Sequence, residues 1–459
     1  MNDRDHGRRS ATTALGVGLA TLLYVAPAAG QSLEDALAQA YMGNPTLEAQ
    51  RAQLRATDEL VPQALSGYRP NAEISAEYGI ESTESRTQTG TVDRTTHPAA
   101  AALSVTQPLY RGGRTVAATE RAESLVQAQR AALLSAEQEI LLDAVVAYLD
   151  VVRDQAVVEL NVNNVQVLQR QLDAFRDRFS VGEITRTDVS QAEARLARSL
   201  ADRIQAEGLL QASRAVFTRV VGSSPGELDA PTPEFQLPGS LDETVTLAQE
   251  NNPSVVASQY SEQAALGAVD QVRGELLPEI GVQGALSRSW EPQSSVSRAD
   301  GASITAQVRI PLYQAGVVSA RVREAKHTAG QRRIEIEETR RQVREAAIRA
   351  WEALTTARAA IRSRQSQVDA AEIALEGVRQ EAVVGARTTL DVLDAEQELL
   401  DARVELVRSQ RDETAAAFQV LAAIGQLTAR QLGLPVEYYD PEIYYNEVRG
   451  KWYGTGIPQ

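Results

Sequence analysis

Residues 72–81 read Ala-Glu-Ile-Ser-Ala-Glu-Tyr-Gly-Ile-Glu, and residues 303–312 read Ser-Ile-Thr-Ala-Gln-Val-Arg-Ile-Pro-Leu. In the first stretch Ala72, Ile74, Ala76, Tyr78 and Ile80 alternate with Glu73, Ser75, Glu77, Gly79 and Glu81. In the second, Ile304, Ala306, Val308, Ile310 and Leu312 alternate with Ser303, Thr305, Gln307 and Arg309. A period of two puts one kind of residue on each face of a β-strand. Two further stretches behave alike: Leu103, Val105 and Leu109 against Ala102, Ser104 and Thr106, and Ile280, Val282 and Leu286 against Glu279, Gln283 and Ser287. Each runs about ten residues, enough for a tilted strand to cross a bilayer. Two ordinary surface hairpins packed on helices would show the same alternation.

Around these stretches the chain is written twice. Ser32-Leu33 recurs as Ser240-Leu241, Asn44-Pro45 as Asn252-Pro253 and Pro70 as Pro278, each 208 residues later. Further on the offset becomes 203: Pro108-Leu109-Tyr110 returns as Pro311-Leu312-Tyr313, Gly182 as Gly385, Asp188 as Asp391, and Ala192-Glu193 as Ala395-Glu396. The change falls between Pro70 and Pro108, where a loop can absorb it. Each copy reads helix, strand, loop, strand, long helix, tight turn, helix. We expect one repeat over residues 31–235, a second over 236–430, and a C-terminal tail over 431–459 that packs at mid-height on the helical part.

The long helices carry a coiled-coil seam. Ile140, Ala144, Ala147, Val151, Val158, Val165, Leu168, Leu172, Phe175 and Phe179 follow three-four spacing, and adding the offset gives Val343, Ala347, Ala350, Leu354, Ile361, Val368, Ala371, Leu375, Val378 and Ala382. Apart from tolerable polar positions on the seam, nothing breaks either segment from Thr115 to Val181 or from Val317 to Val384, so each helix is on the order of 100 Å long. The arginines of the second one, Arg332, Arg333, Arg340, Arg341 and Arg344, read as a solvated face with Glu partners.

Composition fixes the setting. His6, Arg8 and Arg9, the uncharged run Ala11 to Val25, and Ala26-Pro27-Ala28-Ala29-Gly30 form the three parts of an export signal, residues 1–30. After it no apolar stretch is long enough for a membrane-spanning helix. Cysteine is absent, which removes disulfides, thiolate metal sites and cysteine nucleophiles. Aromatic residues are 5%, too few for thick globular cores but ample for packed helices. A net charge of −15 without a basic patch argues against nucleic acid. In an exported chain, the strands read as a lipid-facing barrel wall with a wet lumen. Four strands cannot close a barrel, for which about eight is the minimum, and lipid tolerates no open sheet edge. The chain must associate, and three copies with twelve strands are the simplest closure. The loops Glu81 to Pro98 and Ser289 to Gly301 would face the exterior.

The chain resembles the outer-membrane efflux protein family over essentially its whole mature length. The motifs are Gln107-Pro-Leu-Tyr-Arg-Gly-Gly113 with its echo Ile310-Pro-Leu-Tyr-Gln-Ala-Gly316, and Val181-Gly-Glu-Ile-Thr-Arg-Thr-Asp188 with its echo Val384-Gly-Ala-Arg-Thr-Thr-Leu-Asp-Val-Leu-Asp394, together with the two Asn-Pro pairs. The tail from Tyr439-Asp-Pro to Lys451-Trp-Tyr is similar to the family's C-terminal segment. The resemblance implies an α+β fold: a homotrimer with a twelve-stranded transmembrane β-barrel in the outer membrane of a Gram-negative bacterium, continuous with a periplasmic α-helical barrel of coiled-coil hairpins. It implies a passive duct for efflux or type I protein secretion, docked to a periplasmic adaptor and an inner-membrane pump of the ABC, RND or a similar class. No reaction, metal or cofactor is expected: beyond the signal the only histidines are His97 and His327, and HExxH, Walker and GxGxxG patterns are absent.

Several residues stand out. Pro108, Gly112, Gly113, Pro311 and Gly316 mark the strand-to-helix turns. Gly182 and Gly385 are placed to end the long helices, and Thr185-x-x-Asp188 and Thr388-x-x-Asp391 have the form of capping boxes. Capping alone accounts for both aspartates. Asp394, one turn beyond Asp391, has Gln191 as its counterpart, so capping leaves it unexplained. In a three-fold assembly Asp391 and Asp394 would form two stacked carboxylate rings favouring cations. The resemblance implies that these two line the periplasmic aperture, that Arg387, Thr187 and Asp188 latch it, and that Val181, Gly182, Glu183, Val384, Gly385 and Ala386 meet the adaptor. The family's aromatic latch partner falls at Ala382, so that link is missing. A soluble periplasmic coiled-coil adaptor without a pore is the rival reading; such a protein should have one hairpin between small β-domains.

Overall fold

The computed structural model describes residues 31–231, 236–291 and 296–457. The expected export signal lies outside them, as do residues 232–235 at the expected join between the copies. In the first copy α1 (Leu33–Gly43), α2 (Pro45–Asp58) and α3 (Leu60–Leu65) lead to β1 (Asn71–Tyr78), β2 (Glu81–Thr87), β3 (Gly90–Thr96) and β4 (Ala99–Arg111), then α4 (Arg114–Ser180) and α5 (Arg186–Val221). In the second, α6 (Leu241–Asn251) and α7 (Pro253–Arg273) lead to β5 (Glu279–Trp290), β6 (Arg298–Arg309), α8 (Val317–Val383) and α9 (Thr389–Ala423). The tail carries α10 (Pro441–Arg449).

The repeated dipeptides turn out to be helix starts. Ser32 accepts from the Asp35 N–H and Ser240 from that of Glu243, each capping its helix. Asn44 and Asn252 do more. Each accepts the N–H two residues on, with Pro at the first helical position, while its amide donates to a helix end far along the chain, Asn44 to Val220 O at 3.0 Å and Asn252 to Ala423 O at 3.1 Å. One side chain thus starts one helix and ties down the end of another.

The two long helices each have 67 residues, about 100 Å at 1.5 Å per residue. The seam is buried where expected over Ile140 to Val151, Leu168 to Phe175 and Val343 to Leu354. Asp154, Asn161 and Asn164 interrupt it as buried polar residues, and Phe179 comes out to solvent at the tip. α4 packs along α5, α7 and α9, while α8 packs along α9 and α7. The hairpins therefore lie side by side through α4 and α9, and α5 and α8 form the outer edges, exposing Leu200, Ile204, Ile334 and Ile373. The largest apolar cluster lies at mid-height and joins α1, α2, α4, α5, α9 and the tail around the fully buried Tyr148 and Phe217.

β1, β4, β5 and β6 form one antiparallel sheet in that order. Its register lines up the apolar residues across the strands: Ile74 opposes Leu103, Leu103 opposes Leu286, and Leu286 opposes Ala302. Ser75, Ala102, Ser287 and Gly301 line up on the other face. Among the described residues nothing covers the apolar face: Ile74 is 78% and Ile304 86% exposed.

Several sequence expectations need correction: Ile80 lies past the end of β1 at Tyr78, and both ends of the expected loop Ser289 to Gly301 are strand, since β5 runs to Trp290 and β6 starts at Arg298. The segment Glu81 to Pro98 is not an irregular loop; β2 and β3 pair as a separate hairpin beyond the sheet. Leu109 does not continue the alternation of β4, because the ladder slips between Pro108 and Tyr110 and sets Tyr110 opposite Ile280. Pro108 has no N–H to give the ladder, which makes a bulge the natural accommodation. Ile310 and Leu312 lie past the end of β6 at Arg309, just where Pro311 would interrupt pairing.

Candidate functional site at the helix-hairpin tips

Both hairpins end in the same construction. The last turn of α4 is closed by Gly182 N–H to Phe179 O and Glu183 N–H to Arg178 O; α8 repeats this with Gly385 to Ala382 O and Ala386 to Glu381 O. This bond pair needs a left-handed residue at its centre, and Gly182 and Gly385 have φ of 80° and 78°. The next helix starts with a capping box, Thr185 with Asp188 in α5 and Thr388 with Asp391 in α9. Val181, Gly182, Glu183, Val384, Gly385 and Ala386 all face solvent, with Val384 79% exposed.

Around these turns lie the charges. The Thr185 hydroxyl, helped by the Thr389 hydroxyl and the Thr185 N–H, holds the Asp188 carboxyl below the usual carboxylate range. The Thr388 N–H and hydroxyl lower that of Asp391. Both are capping carboxylates, as the spacing anticipates. Asp188 also reaches across: its Oδ1 accepts from Thr389 Oγ1 at 2.8 Å. Asp394 is ion-paired with Arg195 of α5. Arg387 donates to Glu381 Oε2 at 2.9 Å, on its own hairpin, and Thr187 is exposed beside Asp188.

Sequence reasoning missed three of these partners. Arg195 and Glu381 lie outside the quoted motifs and Thr389 lies inside one without a role; Arg195 and Thr389 matter through proximity across the hairpins, Glu381 within its own. Leu393 was missed too. It belongs to the second copy yet packs among Leu168, Leu172, Phe175 and Ala192 of the first. Just above, the duplicated ion pairs Arg176–Glu193 at 2.8 Å and Arg379–Glu396 at 2.6 Å brace each hairpin. Of the two glutamates only Glu396 is buried, and Gln171 of α4 also donates to it at 2.5 Å. The tip of this chain is a braced surface that presents two turns and fixed carboxylates.

Comparison with known proteins places this architecture. The sequence matches the family described as "Outer membrane efflux protein" over residues 36–223 and 244–426. It is 37% identical over 441 residues to the outer membrane efflux protein BepC of Brucella suis, covering 95% of each chain. It is 27% identical over 308 residues to the alkaline protease secretion protein AprF of Pseudomonas aeruginosa, covering 65% of this chain and 64% of that one. The solved structure of the outer membrane protein VceC from Vibrio cholerae superposes with a TM-score of 0.74 at 20% identity, over 86% of this chain and 96% of that one. With the matched segments taking in both helical hairpins and the sheet between them, this chain belongs to the outer membrane efflux protein family.

Proposed function

We propose that the protein is the passive exit duct of a tripartite export system: a homotrimer in the outer membrane, opened from the periplasm by an adaptor and an energised inner-membrane pump. The sheet carries the reading. Among the described residues its apolar face is uncovered and its two edges, β1 and β6, are unpaired. Neither would persist in lipid without closure. Because the four strands alternate in direction, β6 of one copy meets β1 of the next antiparallel, and three copies supply twelve strands. The helix edges α5 and α8 then face one another between copies, which accounts for their exposed Ile and Leu residues. The names of BepC and AprF, one an efflux and the other a secretion protein, support a duct for either small compounds or polypeptides.

At the tips, we assign Val181, Gly182, Glu183, Val384, Gly385 and Ala386 to adaptor contact, supported by their exposure. Asp391 and Asp394 are the aperture carboxylates, and Arg387, Thr187 and Asp188 belong to the latch. With Ala382 at the aromatic position, the Thr389–Asp188 bond and the Arg195–Asp394 pair supply the inter-hairpin ties. The test is light scattering of the detergent-extracted protein combined with planar-bilayer recording. Trimers that form ion-conducting pores are expected; a monomer soluble without detergent, or trimers that never conduct, would overturn the duct.

A further inference from the structure

Where the sheet meets the helices, α3, the first turns of α4 and the end of α7 enclose an open groove of about 560 Å³. Three guanidinium groups line it, those of Arg111, Arg114 and Arg121. Their engagement is unequal. Arg114 is ion-paired with Glu279. Arg121 donates to the Gln271 amide oxygen at 3.2 Å, an uncharged partner. No carboxylate among the described residues pairs with Arg111. The one acid in the lining, Glu275, is taken by Arg321 at 2.6 Å. The groove therefore holds more cations than its acids neutralise.

The cluster is held in place by close packing. A Cβ on Gly67 would stand 3.0 Å from Arg111 Nη1 and 2.8 Å from Thr115 Oγ1, so the backbone of the turn after α3 lies against both side chains. The groove also borders the first turn of α4, whose N-cap, Gly113, offers no side-chain acceptor to the unpaired N–H groups there. Register places Arg111, at one end of the groove, on one face of the sheet. In the ladder Arg111 opposes Glu279, which opposes Arg309, and this row lies on the polar face of the sheet, one residue from the apolar row of Tyr110, Ile280 and Val308.

We propose that this groove is an oxyanion-binding site on the polar, lumenal side of the sheet, taking a carboxylate or phosphate group of a passing molecule. Arginine suits such groups because its planar fork matches two oxygens at once. The site would receive anions at the membrane end of a duct whose opposite end presents carboxylates. The lumenal assignment rests on the exit-duct reading; the oxyanion chemistry does not.

The test uses the full-length trimer and tripolyphosphate. Calorimetry in detergent should show binding that weakens as salt rises, and the same anion should reduce current through single pores in a phosphatidylcholine bilayer. Arg111→Gln with Arg121→Gln should raise the dissociation constant roughly tenfold or more, the effect of losing a charge-assisted hydrogen bond; Arg111→Lys should recover part of it. Equal binding by the variant and the unmodified protein, or none by either, would overturn the proposal. Binding without any effect on current, with phospholipid phosphate retained by the unmodified protein and lost from the variant, would make a lipid headgroup the ligand and overturn the passenger assignment. Absence of conducting pores before any anion is added would instead count against the exit duct.

Discussion

Asp188 of α5 accepts the hydroxyl of Thr389 of α9 through Oδ1 at 2.8 Å, while its Oδ2 accepts the Thr185 N–H at 2.9 Å and closes its own capping box. One carboxylate thus starts a helix and ties the first hairpin to the second. Its counterpart Asp391 makes the same cap, with the Thr388 N–H at 2.8 Å from its Oδ2. The duplicated motif preserved the cap, and the tie was built from only one of the two copies.

Removing the tie while keeping the cap separates the two roles. Thr389→Val leaves Asp188 with Thr185 and removes a hydrogen bond worth about 1 kcal/mol. Purified trimers of this variant are expected to show higher single-channel conductance or more frequent opening, with little change in melting temperature. Conductance identical to that of the unmodified protein would remove Thr389 from the latch.

The proposed aperture role of Asp391 and Asp394 predicts cation block. Asp391→Ala with Asp394→Ala should weaken the block of single-channel current by trivalent cations, and unchanged block would reject the aperture assignment. Arg195→Ala should act in the opposite direction, because it releases Asp394 from its ion pair and adds unpaired negative charge.

The strand-to-helix turns differ between the copies in a way that stability should report. Gly112 has φ of 62°, and a Cβ there would collide with the Gly274 carbonyl oxygen. Its counterpart Ala315 holds φ of 51° as a non-glycine residue. Ala315→Gly should be neutral to stabilising by up to about 1 kcal/mol, since left-handed backbone costs an L-residue about 1–2 kcal/mol and glycine loses part of that gain to chain entropy. Gly112→Ala should destabilise by more, through the collision. Thermal melting of the two variants checks the opposed signs.

Asp58 sets a pH dependence. Its side chain is fully buried, and neither oxygen has a hydrogen-bond partner among the described residues. Burial pushes its carboxyl up to about 6, against a smaller opposing pull from Arg130. The folded chain therefore holds this proton more tightly than the unfolded chain. The contribution is fully present below about pH 4, shrinks as pH rises, and is lost above about pH 6. Asp58→Asn should flatten the fall in melting temperature over that window and stabilise the protein at pH 7, by roughly 3 kcal/mol at the outside. An unchanged slope would show that the carboxylate finds a partner in solution.

Much of this molecule follows from local pattern. The two-residue period made the strands legible, the three-four period the long helices, and the Gly and Thr-x-x-Asp spacing the tips, because each depends on residues a few positions apart. The doubling of the chain was legible for the same reason. Less legible was the segment Glu81 to Pro98, whose polar residues read as loop yet pair as β2 and β3; cross-strand pairing leaves little mark when neither face is apolar. The bulge at Leu109 was hidden too, since a slip by one residue depends on the partner strand.

The linear order of residues already specifies a duplicated, exported set of long helices and amphipathic strands unable to close alone. Periodicity and edge count are properties of the chain. What holds the tips together depends on how the helices pack: which oxygen of Asp188 is free to reach Thr389, that Asp394 meets Arg195, and that Leu393 fills the first copy's core. Those partners stand about two hundred residues apart in the chain. Side-chain reach across two packed helices is set by their rotation and offset, and local spacing does not encode it.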